Sequence, residues 1–234
     1  MTTSSSVLDA LAEVHDPELD EPITSLGFVA SCEVSPEGDV EVVLHLPTPQ
    51  CAPNFAFLMA ADARRVVRRL PAVRDVTILL HDHYTGEEIN GAVNRGEGFT
   101  GAFPGETADD ELRSLRELFL RKALTGRQSR MCESLLNKGH TAAEIASHTV
   151  ADLPDVPDAH RCVALRRHLG LPDGPETPAF ILPTGEPITA DELIRWLRTA
   201  RLMRLSLEVN GGICRSLLRV HRGIQVEDPE EVLT

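Results

Sequence analysis

The sequence predicts an α+β protein: a small N-terminal α-β-β-α-β sandwich followed by a second, mostly α-helical domain. Three observations predict it. Apolar residues alternate in three short runs before residue 81, whereas after residue 107 they recur at helical spacing. The charge is uneven, with a net of −10 over residues 1–105 and −3 over residues 106–234. Between the two parts lies Asn94–Gly105, with four glycines and one proline and no period of its own. The expected division is an α/β domain at 1–94, a Gly-rich linker at 95–106 and a helical domain at 107–234.

Each element has its own signal. Val7, Leu8, Leu11 and Val14 recur at helical spacing, and Asp16-Pro17 stops that helix because a residue before proline avoids the α region. Phe28, Ala30, Cys32 and Val34 alternate, Pro36–Asp39 turns the chain, and Val40, Val42, Leu44 and Leu46 alternate again, which predicts a hairpin with one buried face. On that pattern Cys32 belongs to the core. Pro53 suits the first turn of a helix carrying Phe55, Leu58, Met59, Val66, Val67 and Leu70. Val76, Ile78 and Leu80 mark a third strand. In the second half, Thr107–Asp110, Thr141–Glu144 and Thr189–Glu192 resemble capping boxes, in which a hydroxyl and a carboxylate satisfy the orphan amides of a helix start. Helices are expected near 108–124, 129–138, 142–149, 159–169 and 190–207. In the last, Leu193, Trp196, Leu197, Ala200, Met203 and Leu207 form a core stripe.

Composition excludes several classes. Apolar residues make up 42% of 234 and charged residues 25%, as in a globular protein. No apolar run is long enough to span a membrane and no signal peptide is evident, so a cytoplasmic location is expected. The five cysteines form no CxxC pair, which argues against a disulfide framework or a zinc ribbon. A net charge of −13 disfavours nucleic acid. Leu136–Ala146 resembles the turn of a helix-turn-helix, but its second helix carries no Arg or Lys, and a plain helical hairpin explains it. The stretch 195–222 is basic, with seven arginines against Glu208, and reads as a solvated helix face or a dock for an acidic partner. No P-loop, dinucleotide fingerprint or nucleophile elbow is present, so the chain is not expected to be an enzyme. A thiol enzyme would need His45, His81 or His83 as a base for Cys51.

The most informative segment is Leu46-Pro-Thr-Pro-Gln-Cys51-Ala-Pro-Asn54. It places a cysteine where a buried strand hands over to a helix, whose unpaired amides should favour the thiolate that ligates soft metals. A small buried residue filling the loop is the plain alternative. Further on, His81-Asp82-His83 ends the third strand. On a continued strand His81 and His83 would share a side, and imidazoles with a carboxylate suit iron; otherwise the three form a polar strand end.

Residues 7–81 resemble the PaaD- and SufT-like family of iron–sulfur cluster assembly and targeting factors. The resemblance rests on Asp16-Pro-Glu-Leu19, Ile23–Val29, Thr48-Pro-Gln-Cys-Ala-Pro53 and Val73–Ile78, in that order. It implies a small α/β fold and a cytoplasmic maturation factor that assembles or delivers iron or iron–sulfur clusters to client proteins. Cys51 is then a cluster ligand, and Asp16 and Glu18 belong to the site region. A single cysteine cannot hold a cluster, so a homodimer, a client metalloprotein or a cluster carrier would complete the ligand set. The helical domain would bind the client. The alternative is a dedicated companion of a multicomponent di-iron monooxygenase that loads metal without carrying a cluster.

Overall fold

The computed structural model describes residues 2–105 and 109–222. The chain gathers into two compact units. One runs from the N-terminus to Ser114 and takes up the chain again from Asn210; the other is Leu115–Val209. No helix among the described residues is long and apolar enough to cross a membrane.

The first unit opens with α1 (Ser4–Leu11), started by a Thr3/Ser6 capping box that satisfies two orphan amides. The strands are β1 (Val29–Val34), β2 (Asp39–His45) and β3 (Asp75–His81), in the order β1-β2-β3. β1 and β2 pair antiparallel, as a hairpin must. β2 and β3 pair parallel, which requires a crossover, supplied by α2 (Pro53–Val67). Val40, Val42 and Leu44 of β2 and Val76, Ile78 and Leu80 of β3 are buried, so one sheet face forms the core with Phe57, Met59 and Ala63 of α2. The expected α-β-β-α-β order is therefore present.

The β1 stripe departs from simple alternation. The register shifts between Val29 and Ser31, leaving Ala30 as an extra residue that is exposed. Such a bulge resets the side-chain alternation. Cys32 still pairs with Val42 on the core face, but at a sheet edge, where it is half-buried rather than part of the core.

Two helices follow β3, the first with no counterpart in the expected elements and the second inside the expected linker. α3 (Gly86–Arg95) follows β3 directly, buries Ile89, Ala92 and Val93, and ends at Gly96 in the left-handed conformation, φ +75°. Its Asn90 and Asn94 lie one turn apart and treat β3 as a partner strand would. The Leu80 N–H donates to Asn90 Oδ1 (2.7 Å) and the Leu80 carbonyl accepts from Asn90 Nδ2 (3.2 Å). Asn94 does the same for Ile78, at 2.9 Å both ways. Side-chain amides thus satisfy the backbone groups of an edge strand that would otherwise stand unpaired. α4 (Phe99–Ala102) follows, with Phe99 and Phe103 buried. Residues 95–106 were expected to be a linker; those described instead pack apolar side chains into the unit, because Phe57, Phe99 and Phe103 form ring contacts at 4.8–5.4 Å.

The second unit is helical. α5 (Asp109–Asn137) is one helix where two were expected. The polar Thr125–Ser129 stretch does not break it, because Thr125 Oγ1 and Ser129 Oγ donate back to the Arg121 and Gly126 carbonyls of the same helix. α6 (Ala142–Ser147) begins at the Thr141/Glu144 capping box, and α7 (Pro157–His168) has proline at its start. α8 (Ala190–Arg222) runs fifteen residues past its expected end. The capping motif at Thr107–Asp110 lies outside the described residues. Leu124, Cys132, Ile145, Cys162, Leu165, Phe180 and Leu193 form the core, with Trp196 packed against it. A buried Arg166 crosses it, donating to the Pro178 and Ala179 carbonyls and to Gln128 Oε1, while Gln128 pairs both ways with the Ile181 backbone. Nor is the basic face of α8 merely solvated, for Arg201 and Arg204 both pair with Glu133.

Candidate functional site: two thiols among carboxylates

Cys51 sits where the sequence places it, one residue before the Ala52 N-cap of α2 and beyond the carboxyl end of β2. Ligands bind open α/β sheets at that end of the strands. Proline on either side and two hydrogen bonds from the next strand-end loop hold the Cys51 loop. The Tyr84 N–H donates to the Pro49 carbonyl (3.1 Å), and His83 Nε2 donates to the Cys51 carbonyl (2.8 Å).

Asp16 organises a second loop of the same unit. Its buried Oδ1 accepts from the Glu18 and Leu19 N–H groups at 2.8 and 2.9 Å, and its own N–H bonds the Glu21 carbonyl at 2.9 Å. These bonds close the turn that Asp16-Pro17 begins, with Asp20 at φ +53°. Burial pushes the Asp16 carboxyl up to about 6, against the two N–H bonds that favour its ionised form.

The residue missed from sequence is Cys214. The far end of α8 is tied to the Asp16 loop, with Asn210 Nδ2 donating to Glu18 Oε1 (2.9 Å) and Arg215 Nη1 bonding both oxygens of Glu21 at 2.9 and 3.1 Å. These ties place Cys214 within electrostatic reach of the Cys51 thiol. The signal available was weak: Asn210-Gly211-Gly212 reads as a helix end, yet the helix runs through it. The anchoring bonds to Glu18 and Glu21 offset what two glycines cost a helix interior.

The electrostatics reverse the expectation of a helix-activated thiolate. The Cys51 thiol is pushed up to about 12, first by burial and then by Asp16, Cys214 and Glu18; an Ala52 N–H bond to the sulfur works the other way and is outweighed. Cys214 is pushed up to about 11 by burial, Asp16 and Glu18, with Arg215 opposing. These are protonated thiols in an acidic setting. Such a setting repels a free thiolate and attracts a cation, which deprotonates a thiol as it binds. His83 addresses the Cys51 carbonyl rather than its sulfur.

The expected set of His81, Asp82 and His83 does not stay together. β3 ends at His81, and Asp82 takes the left-handed conformation at φ +50°, so the strand alternation that would align His83 with His81 is broken. Both His83 nitrogens are engaged: Nε2 with Cys51, and Nδ1 as acceptor from the Thr85 N–H (3.3 Å) and hydroxyl (3.1 Å). Burial pushes the His83 imidazole down from its usual value. His83 is a brace for the Cys51 loop. The residue that joins His81 and Asp82 is His45 of the neighbouring strand.

Comparison with known proteins agrees with this part of the chain. Residues 4–80 match the family described as iron–sulfur cluster assembly protein. The uncharacterized protein MJ1129 of Methanocaldococcus jannaschii is 33% identical over 90 residues, 38% of this chain and 93% of that protein. The iron–sulfur cluster carrier protein of Deinococcus radiodurans is 38% identical over 76 residues, and that of Mycobacterium leprae 47% over 47 residues, 32% and 20% of this chain. The chain spans only 21% and 12% of those two carrier proteins. No solved structure matches it.

Proposed function

The chain belongs, through residues 4–80, to the iron–sulfur cluster assembly protein family, and from that membership we propose that it takes up an iron–sulfur cluster as cargo at Cys51 and Cys214 and passes it to a client protein. The observation that carries this reading is that Cys51 and Cys214 lie within electrostatic reach of Asp16 and Glu18, on a loop and a helix end tied together by the Asn210–Glu18 and Arg215–Glu21 bonds. Two thiols per chain are half of a four-cysteine ligand set. Two copies of the chain, or one copy with a client, supply the full set. The raised thiols suit a cargo site rather than a permanent one. Each ligand bond is made at the expense of a proton, and low pH or a better thiolate donor reverses it. A matching name in relatives of which the chain covers only 21% and 12% supports cluster carriage by this segment; the role of the helical unit as the client-binding part rests on its being additional to that segment.

The test is anaerobic reconstitution of the full chain, with iron and sulfide analysis and visible absorption. Bound acid-labile sulfide with matching iron, the sulfide lost in Cys51→Ser and strongly reduced in Cys214→Ser, is the expected result. Iron without sulfide that is lost in Cys51→Ser would favour the companion of a di-iron monooxygenase. Full cluster binding in Cys51→Ser would reject the thiol site.

A further inference from the structure

The carboxyl ends of β2 and β3 carry a second constellation that contains no sulfur. The parallel register pairs His45 with His81, so both project from the sheet face opposite the buried Leu44 and Leu80. Their rings stack with centroids 5.3 Å apart and planes at 28°. The left-handed backbone of Asp82, φ +50°, keeps its carboxylate at this strand end, with Oδ1 3.9 Å from His81 Nδ1. One ligand atom from each of His45, His81 and Asp82 lies within 4.8 Å of the other two.

We propose that His45, His81 and Asp82 form a binding site for a divalent first-row transition ion, separate from the thiol pair. Two imidazoles and one carboxylate are a borderline donor set, suited to ferrous iron, zinc, cobalt or nickel and unsuited to magnesium or calcium, which take oxygen ligands. Bonds of about 2.0–2.2 Å to one ion place adjacent donors about 3–3.5 Å apart. The arrangement reaches that by a rotation of about 1 Å in side chains that have room for it, His81 and Asp82 being 63% and 66% exposed. Three protein ligands leave coordination positions open to water or to a partner's side chain. Strand pairing sets the imidazole spacing before any ion arrives, so little ordering is required on binding. The inference does not rest on the cluster reading, since it uses none of the residues of that site.

Cobalt(II) is the probe, titrated into the metal-free full chain without oxygen and followed by visible absorption and calorimetry. One cobalt per chain is expected at this site, with d–d bands that persist without thiolate-to-cobalt charge transfer when Cys51 and Cys214 are both replaced by Ser. Cys51→Ser alone should keep these d–d bands. His81→Gln and His45→Gln should each weaken binding more than about 100-fold, beyond the 10–100-fold that loss of an outer-shell partner costs. Each variant's metal-free thermal melt should match the parent, showing that the loss is of ligation and not of fold. The proposal fails if cobalt does not saturate the protein at millimolar concentration. It fails equally if the d–d bands vanish together with any charge-transfer band in Cys51→Ser, or if His81→Gln binds as the parent does. Failure of cluster binding in Cys51→Ser alone leaves this site standing, so the two readings are separable.

Discussion

The two units each bring a pair of cysteines together, and the pairs differ in what surrounds them. Cys132 and Cys162 lie in the apolar core of the helical unit, among Leu135, Ile145 and Leu165. Cys51 and Cys214 lie half-buried in the first unit, beside Asp16 and Glu18. Burial raises Cys132 as it raises Cys51, so a raised thiol by itself does not mark a site. The carboxylates differ: Asp16 and Glu18 act on both Cys51 and Cys214, whereas Cys132 feels only Glu133, which Arg201 and Arg204 pair. Among aliphatic side chains a thiol is a small hydrophobe; among carboxylates, with an edge open to solvent, it belongs to a place where positive charge is welcome.

The buried charges of the two units tell the same story. Arg166 is fully buried in the helical unit, and its two Nη groups, though not its Nε, meet backbone carbonyls and Gln128, so it fastens the irregular 172–181 segment to the helices. Asp16 is also buried, but it is held well above the ordinary carboxylate range.

The contrast breaks most sharply on Cys51→Ser against Cys132→Ser. The first should reduce reconstituted acid-labile sulfide to background and leave the melting temperature nearly unchanged. The second should keep the sulfide and cost about 1–3 kcal/mol, because it sets a hydroxyl in an apolar core. Sulfide analysis beside a thermal melt reads both, and a swapped result would make Cys132 and Cys162 the functional pair. Next is Arg166→Met, which leaves several buried carbonyls without a donor and should destabilise the helical unit by about 3 kcal/mol, measured by urea unfolding. An unchanged midpoint would mean that Arg166 is no staple.

Asp16 offers a pH test of similar size. Its folded pKa of about 6 lies above the ordinary 3.8, so its contribution is fully present below about pH 4 and is lost as pH rises through 6. The loss is on the order of 3 kcal/mol. Asp16→Asn keeps an oxygen for the Glu18 and Leu19 amides and removes the titration, so the variant's stability should be flatter than the parent's between pH 4 and 6.5. Parallel curves would contradict the buried, raised carboxyl. The smallest effect is expected of Arg215→Ala. Its ion pair with Glu21 is partly exposed and worth about 0.5–1 kcal/mol. Yet the variant should lower cluster occupancy more than that figure suggests, because it loosens the segment that carries Cys214.

Much of the first unit was legible in the sequence. The alternation in β2 and β3, the Pro53 start of α2 and the Asp16 turn follow from short-range rules of pleat, ring geometry and side-chain capping. Cys51 was legible too, since strand, prolines and helix bracket it within nine residues. α3 was overlooked, although Glu87, Glu88, the Ile89–Ala92–Val93 spacing and Gly96 form a regular start, face and stop. The helical half misled in the opposite direction: the polar stretch in α5 and the two glycines in α8 read as breaks, but back-bonding and distant anchors hold both helices continuous.

Sequence by itself determined the order of elements through residue 81, the family and the cysteine at the mouth of α2, because each depends on neighbours within a few turns. Tertiary structure decided the rest. It brought Cys214 across 163 positions within electrostatic reach of Cys51, set His45 beside His81 through parallel register, and turned His83 from a ligand into a brace. It also decided the state of the thiols. A helix end argues for thiolate from local dipoles alone, but burial and the charge of Asp16 and Glu18 act through space, and they outweigh it.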